Sequence, residues 1–185
     1  MTVPANGPTG GHKRPESLVL VNTGDGKGKT SAAVGVAIRA IARGWSVAVV
    51  QFMKSGKWKT GEAKMAEQLG IDWWTLGDGW TWESDDLEAS ARLGREAWAL
   101  AAELIAAGDH RLVILDEVTY PMTHEWIATA DVVRAISARP SNVNVVLTGR
   151  DAPDEIIAIA HTVTEMHCVK HAFDQGIPAM KGIEF

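Results

Sequence analysis

Thr23-Gly24-Asp25-Gly26-Lys27-Gly28-Lys29-Thr30-Ser31 lies between an apolar run, Leu18 to Asn22, and a helical pattern that opens at Lys29. A strand, a glycine-rich turn and a helix in that order are the setting a phosphate-binding loop requires. Glycines let successive backbone N–H groups turn inward, and the helix adds the positive end of its dipole. Lys29 supplies a point charge, Lys27 stands beside it as a second cation, and the Thr30 hydroxyl can ligate Mg²⁺. The whole stretch from Thr23 to Ser31 is therefore the candidate polyphosphate grip. In one respect it departs from the general pattern G-x-x-x-x-G-K-(S/T): the place of the first glycine is taken by Thr23.

Outward from this loop, short β-branched runs alternate with longer helical patterns, the signature of parallel βαβ construction in a single domain. The strands read as Leu18 to Asn22, Ser46 to Met53, Asp72 to Leu76, Arg111 to Asp116, Asn142 to Leu147 and Thr162 to Val169. Several are continuous apolar runs, fit for burial on both faces, so helices are expected on both sides of the sheet. The helices read as Lys29 to Arg43, Gly61 to Leu69, Asp85 to Ala107, Ala130 to Arg139 and Pro153 to Ala160. Gly44, Gly70 and Gly108 stand where C-terminal caps belong. In the third helix Leu87, Ala91, Gly94, Trp98, Ala101 and Ile105 recur at three or four residues and predict one buried stripe. Residues 1–17, rich in glycine and proline, read as a flexible leader before a domain spanning 18–185. The stretch from His171 to Phe185 has little periodicity and is expected to be an ordered tail over the sheet.

Composition narrows the function. The chain has 185 residues, 46% of them hydrophobic, which is ordinary for a soluble globular domain. With 18 basic and 23 acidic residues it carries −5, which argues against wrapping a nucleic-acid backbone. Its longest weakly polar run, Ala97 to Ala107, is interrupted by Glu103 and is too short to cross a bilayer. A single cysteine, Cys168, forms no internal disulfide, and a cytoplasmic setting is expected.

Val113-Ile114-Leu115-Asp116-Glu117 ends the fourth strand on two carboxylates. Mg²⁺ or Mn²⁺ bound to a triphosphate needs oxygen ligands there, so Thr30, Asp116 and Glu117 are the candidate metal set, with either carboxylate able to make the direct contact. Arg150 closes the fifth strand, on the edge where open parallel sheets place ligands. Arg39 and Gln51 are weaker nucleotide-side candidates. Lys54, Lys57, Lys59 and Lys64 form a basic stretch suited either to solvent or to guiding an anionic substrate. These features alone also fit a kinase or ATPase that cleaves the γ-phosphate.

Several separated motifs carry a closer resemblance. They are Thr23 to Thr30, Val49-Val50-Gln51-Phe52 with Lys54, Gly61-Glu62, Thr81-Trp82-Glu83, and Leu115-Asp116-Glu117 with Thr119-Tyr120. Ala138-Arg139-Pro140, Thr148-Gly149-Arg150 and Val169-Lys170-His171-Ala172-Phe173-Asp174 complete the set. Taken in order they resemble the P-loop corrinoid adenosyltransferases, from Leu18 to Phe185. The resemblance implies a P-loop NTPase-like (RecA-like) fold, mostly parallel with helices on both faces. It implies that cobalt(I) of a reduced corrinoid, cobyrinic acid a,c-diamide or cobalamin, attacks the 5′ carbon of ATP and expels triphosphate. Lys29 and Glu117 would then be catalytic, and Arg150 would contact the nucleotide. A flavoprotein reductant and a homodimer are also implied.

Eight tryptophans stand against one tyrosine and three phenylalanines, and four of the eight lie between Trp73 and Trp82. Indoles on a loop serve equally as core anchors. The resemblance implies instead that Trp80 and Trp82 bind the corrinoid and wall off its lower face, which makes cobalt(II) easier to reduce. Trp80 stands where a well-known member carries phenylalanine.

Overall fold

The structure, a computed structural model, describes residues 15–54, 60–77 and 87–184. In chain order these form β1 (Val19–Thr23), α1 (Lys29–Ile41), β2 (Val47–Phe52), α2 (Gly61–Leu69), β3 (Asp72–Leu76), α3 (Leu87–Ala107) and β4 (Leu112–Asp116). There follow α4 (Thr119–Thr123), α5 (Thr129–Ser137), β5 (Asn144–Thr148), α6 (Asp154–Ile159) and β6 (Thr162–Glu165). The strands make one sheet in the order β3-β2-β4-β5-β1-β6, and every pairing is parallel.

Side-chain alternation sorts the sheet into two apolar layers. On one face Val47, Val49, Leu112, Ile114 and Val146 pack with Ala33, Ala37 and Ala40 of α1 and Ala66 of α2. An all-alanine stripe at this spacing lets α1 lie close to the sheet, as a helix launched from so short a loop must. The opposite face buries Val21, Val50, Phe52, Val113, Leu115, Val145 and Leu147 under α3, α5 and α6. β2, β4 and β5 are buried along their whole length, as expected for inner parallel strands covered on both faces. Gly70 and Gly108, with φ of 67° and 73°, directly follow α2 and α3 in the left-handed cap conformation, whereas α1 is capped by Ala42 in the right-handed region and Gly44, with φ of 71°, lies in the turn beyond it.

Four expectations are corrected. β6 stops at Glu165 rather than Val169, because its partner β1 ends at Thr23, the residue paired with Glu165, and turns away into the glycine-rich loop. The one-turn helix α4 has no counterpart in the sequence pattern; its five residues contain Pro121 and are too few for periodicity. The stripe of α3 is Ser90, Ala91, Gly94, Ala97, Ala101 and Ile105, with Leu87 exposed and Trp98 only partly buried. The tail does not lie over the sheet: Val169, Phe173, Met180 and Ile183 are exposed, and Glu184 instead pairs with Lys27. Among the described residues no helix is long and apolar enough to cross a membrane.

Candidate active site

Glycine is required in the loop by the chain that passes it. Gly24 has φ of 92°, and a Cβ there would stand 2.4 Å from the Met166 carbonyl oxygen. A Cβ on Gly26 would stand 2.7 Å from the His167 carbonyl carbon. The loop is thereby docked on the residues that follow β6: Met166 N–H donates to Thr23 O at 2.8 Å and Gly26 N–H to Met166 O at 2.7 Å. Cys168 N–H adds a longer bond to Asp25 Oδ1. No side chain caps α1, so its first N–H groups face the loop without a capping side chain.

Lys29, 7% exposed, folds back into this ring and donates to Gly24 O and Gly26 O, both at 2.7 Å. An ammonium has three N–H bonds; two fix it in the loop, and among the described residues the third has no hydrogen-bond acceptor. Burial pushes its pKa down. The Glu117 carboxylate opposes that shift, and the Arg150 guanidinium reinforces it. Lys27 points outward, to Glu184.

Where the α1 face of the sheet reaches its carboxyl edge, the apolar layer ends in a polar one. Asn22, Thr148, Asp116 and Gln51 sit there, all buried, with Thr75 alongside on β3. Asp116 is the hub. Its Oδ1 accepts from Thr30 Oγ1 at 2.8 Å and from Thr148 Oγ1 at 2.7 Å. Its Oδ2 accepts from Gln51 Nε2 at 2.8 Å, with Lys54 Nζ at 3.8 Å. Because the Thr30 proton is committed to Asp116, the lone pairs of that hydroxyl are free to face a cation. The Gln51 amide oxygen continues the network, accepting from Thr75 Oγ1 at 3.4 Å, and Thr75 in turn accepts from the Trp73 indole N–H at 3.2 Å.

Glu117 leaves β4 at φ of 62°, a conformation that costs a side-chain-bearing residue about 1 kcal/mol. Its N–H donates to Thr148 Oγ1 at 2.9 Å. Burial holds its carboxyl above the ordinary carboxylate range and Asp116 adds to the rise. Lys29, Lys54 and Arg150 pull it back. Arg150 is exposed, yet its charge reaches both Lys29 and Glu117. Thr23 is buried at the end of β1 and accepts from Ala152 N–H at 3.2 Å.

The structure thus brings together Thr23 to Ser31, Asp116, Glu117 and the charge of Arg150 on one edge of the sheet. Arg39 lies in the last turn of α1, ten residues and about 15 Å from Lys29 along the helix axis, and does not join them. Gln51 does join them, through Asp116. Trp80, Trp82, Lys57 and Lys59 lie outside the described residues. Thr148 is a residue that spacing did not single out. The usable signal was that the apolar runs of β1, β2, β4 and β5 close on Asn22, Gln51, Asp116 and Thr148, polar residues in one layer. Oxygen donors alone, from one hydroxyl and two carboxylates, are the set that Mg²⁺ or Mn²⁺ favours.

The chain matches, over residues 15–185, the family model described as ATP:corrinoid adenosyltransferase BtuR/CobO/CobP. It is 39% identical over 168 residues to the corrinoid adenosyltransferase of Escherichia coli (strain K12), covering 91% of this chain and 85% of that protein. It is 42% identical over 170 residues to the corrinoid adenosyltransferase of Pseudomonas aeruginosa, covering 91% and 83%. A Sinorhizobium protein of the same name is 42% identical over 174 residues, covering 92% and 81%. With matches spanning nearly the whole chain and a parallel sheet whose carboxyl edge carries the glycine-rich loop, the chain belongs to the ATP:corrinoid adenosyltransferase family.

Proposed function

We propose that this chain, an ATP:corrinoid adenosyltransferase by family, works by holding the triphosphate of ATP as a leaving group at the carboxyl edge of its sheet. The observation that carries this assignment is the junction of loop and strand end, where Lys29 is fixed inside the glycine ring and Thr30 is tied to Asp116 beside Glu117. In the reaction, cobalt(I) of the reduced corrinoid gives its electron pair to the 5′ carbon. The cobalt–carbon bond forms as the C5′–O bond breaks, and the bonding pair leaves with triphosphate. Cobalt(I) carries no proton, so the step needs no general base. What the protein supplies is in-line placement and neutralisation of the departing charge.

Each residue then has one task. Backbone N–H groups of the loop other than that of Gly26, which Met166 O already takes, bind the phosphate oxygens, Lys29 donates its remaining N–H, and Lys27 and Arg150 add positive charge. Thr30 and Glu117 are the direct metal ligands, and Asp116, with both oxygens accepting from protein donors, orients Thr30. Mg²⁺ or Mn²⁺ in that position supplies charge neutralisation to the triphosphate. Trp80 and Trp82 are assigned to the lower face of the corrin. On that assignment Trp82→Ala impairs adenosylation from cobalt(II) far more than from chemically reduced cobalt(I); equal losses in the two assays would remove it. A flavoprotein electron donor, a homodimeric working unit and a cytoplasmic setting complete the proposal, on the strength of the family resemblance.

Anaerobic incubation with Mg·ATP and a chemically reduced corrinoid tests the core of it. Intact triphosphate in the ³¹P spectrum, appearing in step with a light-sensitive cobalt–carbon species, is the expected result. ADP and phosphate formed without regard to corrinoid would return the site to γ-phosphate cleavage, a reaction the family match does not favour.

A further inference from the structure

We propose that Thr148 is a positioning residue that aims the Glu117 carboxylate at the metal of the nucleotide site; this rests on the metal role assigned above to Thr30 and Glu117. Thr148 is fully buried, and among the described residues its side chain hydrogen-bonds only Asp116 and Glu117, not the loop glycines or the lysines. Its one hydroxyl spans the two acidic residues, donating to Asp116 Oδ1 at 2.7 Å and accepting from Glu117 N–H at 2.9 Å. The polarity of the pair is fixed by chemistry: a backbone N–H only donates and an ionised carboxylate only accepts, so the hydroxyl gives its own proton to Asp116 while its oxygen takes the amide proton of Glu117. Serine preserves this arrangement; valine has neither the donor nor the acceptor.

What the hydroxyl holds is a backbone that would not hold itself. Glu117 turns at φ of 62°, which a non-glycine residue keeps only where its surroundings over-determine it. The Thr148 bond pins the Asp116–Glu117 peptide, and with it the direction in which the Glu117 side chain departs. Thr148 is itself held from both sides. It pairs with Asn22 in the sheet register. It is followed by Gly149 at φ of 142°, where a Cβ would stand 1.9 Å from Thr119 Oγ1. Asp116 meanwhile ties Thr148 to Thr30 through the same oxygen, Oδ1. One hydroxyl therefore sets the spacing of the two groups assigned to the metal, and removing it leaves the glycine loop as it is.

The experiment separates metal binding from nucleotide binding in folded protein, without corrinoid. ATP affinity is measured calorimetrically in EDTA. Mn²⁺ affinity of the protein–ATP complex is then followed by electron paramagnetic resonance, for wild type, Thr148→Val, Thr148→Ala, Thr148→Ser and Glu117→Gln. Loss of an outer hydrogen-bond partner of a metal ligand weakens metal binding about 10- to 100-fold. The expected result is a loss in that range for Thr148→Val and Thr148→Ala, metal-free ATP affinity within about 2-fold of wild type, and recovery in Thr148→Ser. Wild-type Mn²⁺ affinity in folded Thr148→Val or Thr148→Ala would overturn the proposal, as would equal losses with and without metal. So would failure of Thr148→Ser to recover, which would make the methyl group the cause. Glu117→Gln distinguishes the premise: if it binds Mn²⁺ like wild type, the metal role of Glu117 has failed and the positioning role falls with it. If Glu117→Gln loses Mn²⁺ and Thr148→Val does not, only the positioning role has failed.

Discussion

At the scale of single residues, Glu117 is a buried acid whose ionised form is disfavoured by the fold around it. Burial and the neighbouring Asp116 raise the Glu117 pKa in the folded chain, so the native state binds that proton more tightly than the unfolded state does. Stability from this group is therefore present at low pH. It is lost as pH rises from the unfolded value, about 4.3, through the raised folded value. Above that window the ionised carboxylate destabilises the nucleotide-free protein. Glu117→Gln is expected to raise the melting temperature by a few degrees at neutral pH in EDTA, with the advantage shrinking toward acid, while adenosyl transfer falls at least 10-fold. Thermal denaturation of both proteins from pH 4 to 8 checks the sign; a variant less stable than wild type at neutral pH would show that Glu117 contributes to the fold. Lys29→Ala removes an ammonium whose two loop bonds measure 2.7 Å. Charge-assisted bonds are worth roughly 1.5–3 kcal/mol each, so ATP affinity by calorimetry is expected to drop by at least about 10-fold.

Elements impose requirements that no residue shows in isolation. β6 and the residues after it form a wall for the phosphate loop, and Gly24 and Gly26 fit against that wall only without a Cβ. Gly24→Ala is expected to push the loop off Met166, weakening ATP binding more than 10-fold and speeding hydrogen exchange at Met166, whose N–H bonds Thr23. Unchanged exchange at Met166 would mean that the loop moves alone. The C-terminal turn acts on the same loop from outside, since Glu184 takes the Lys27 ammonium. Glu184→Gln frees that cation and is expected to tighten ATP binding about 2- to 5-fold at low salt, within the range of an exposed ion pair; weaker binding would show that the pair holds the loop in shape. The same elements divide what the sequence discloses from what it does not. The strand, glycine-rich turn and helix from β1 to α1, the caps at Gly70 and Gly108, and the buried strands β2, β4 and β5 obey local rules and were legible. The end of β6 was not, because it is set by where β1 stops pairing. Gln51 was legible only as a weaker nucleotide-side candidate, and Thr148 only as part of the Thr148-Gly149-Arg150 motif with no role of its own, because one hydroxyl or amide after an apolar run is commonplace. Their meaning comes from sheet register, which sets Gln51 beside Asp116 and Thr75, and Thr148 beside Asn22.

For the molecule as a whole, the chain is acidic, at −5, yet has to attract a polyphosphate. On the proposed reading it does so through Lys27, Lys29, Lys54 and Arg150, at the carboxyl edge of a sheet whose interior is apolar. The groups that would meet the nucleotide come from β1, α1, β4 and the turn after β5, the first and last of which lie more than a hundred residues apart in the chain. A ligand that bridges them ties distant segments of one cooperative unit together, and its binding free energy adds to global stability. At a hundred times its dissociation constant the gain is about 2.7 kcal/mol, which for a chain of this size is a rise in melting temperature of about 5–10 °C. Mg·ATP is expected to give that rise and ATP in EDTA a smaller one. Glu117→Gln should erase the difference between the two while keeping the metal-free increment. Because cations do the attracting, the metal-free increment should also shrink as salt is raised from about 0.01 to 0.15 M, across which the screening length falls from about 30 to 8 Å. A melting temperature indifferent to metal would locate the triphosphate away from Thr30 and Glu117, and one indifferent to salt would assign its binding to backbone N–H groups alone.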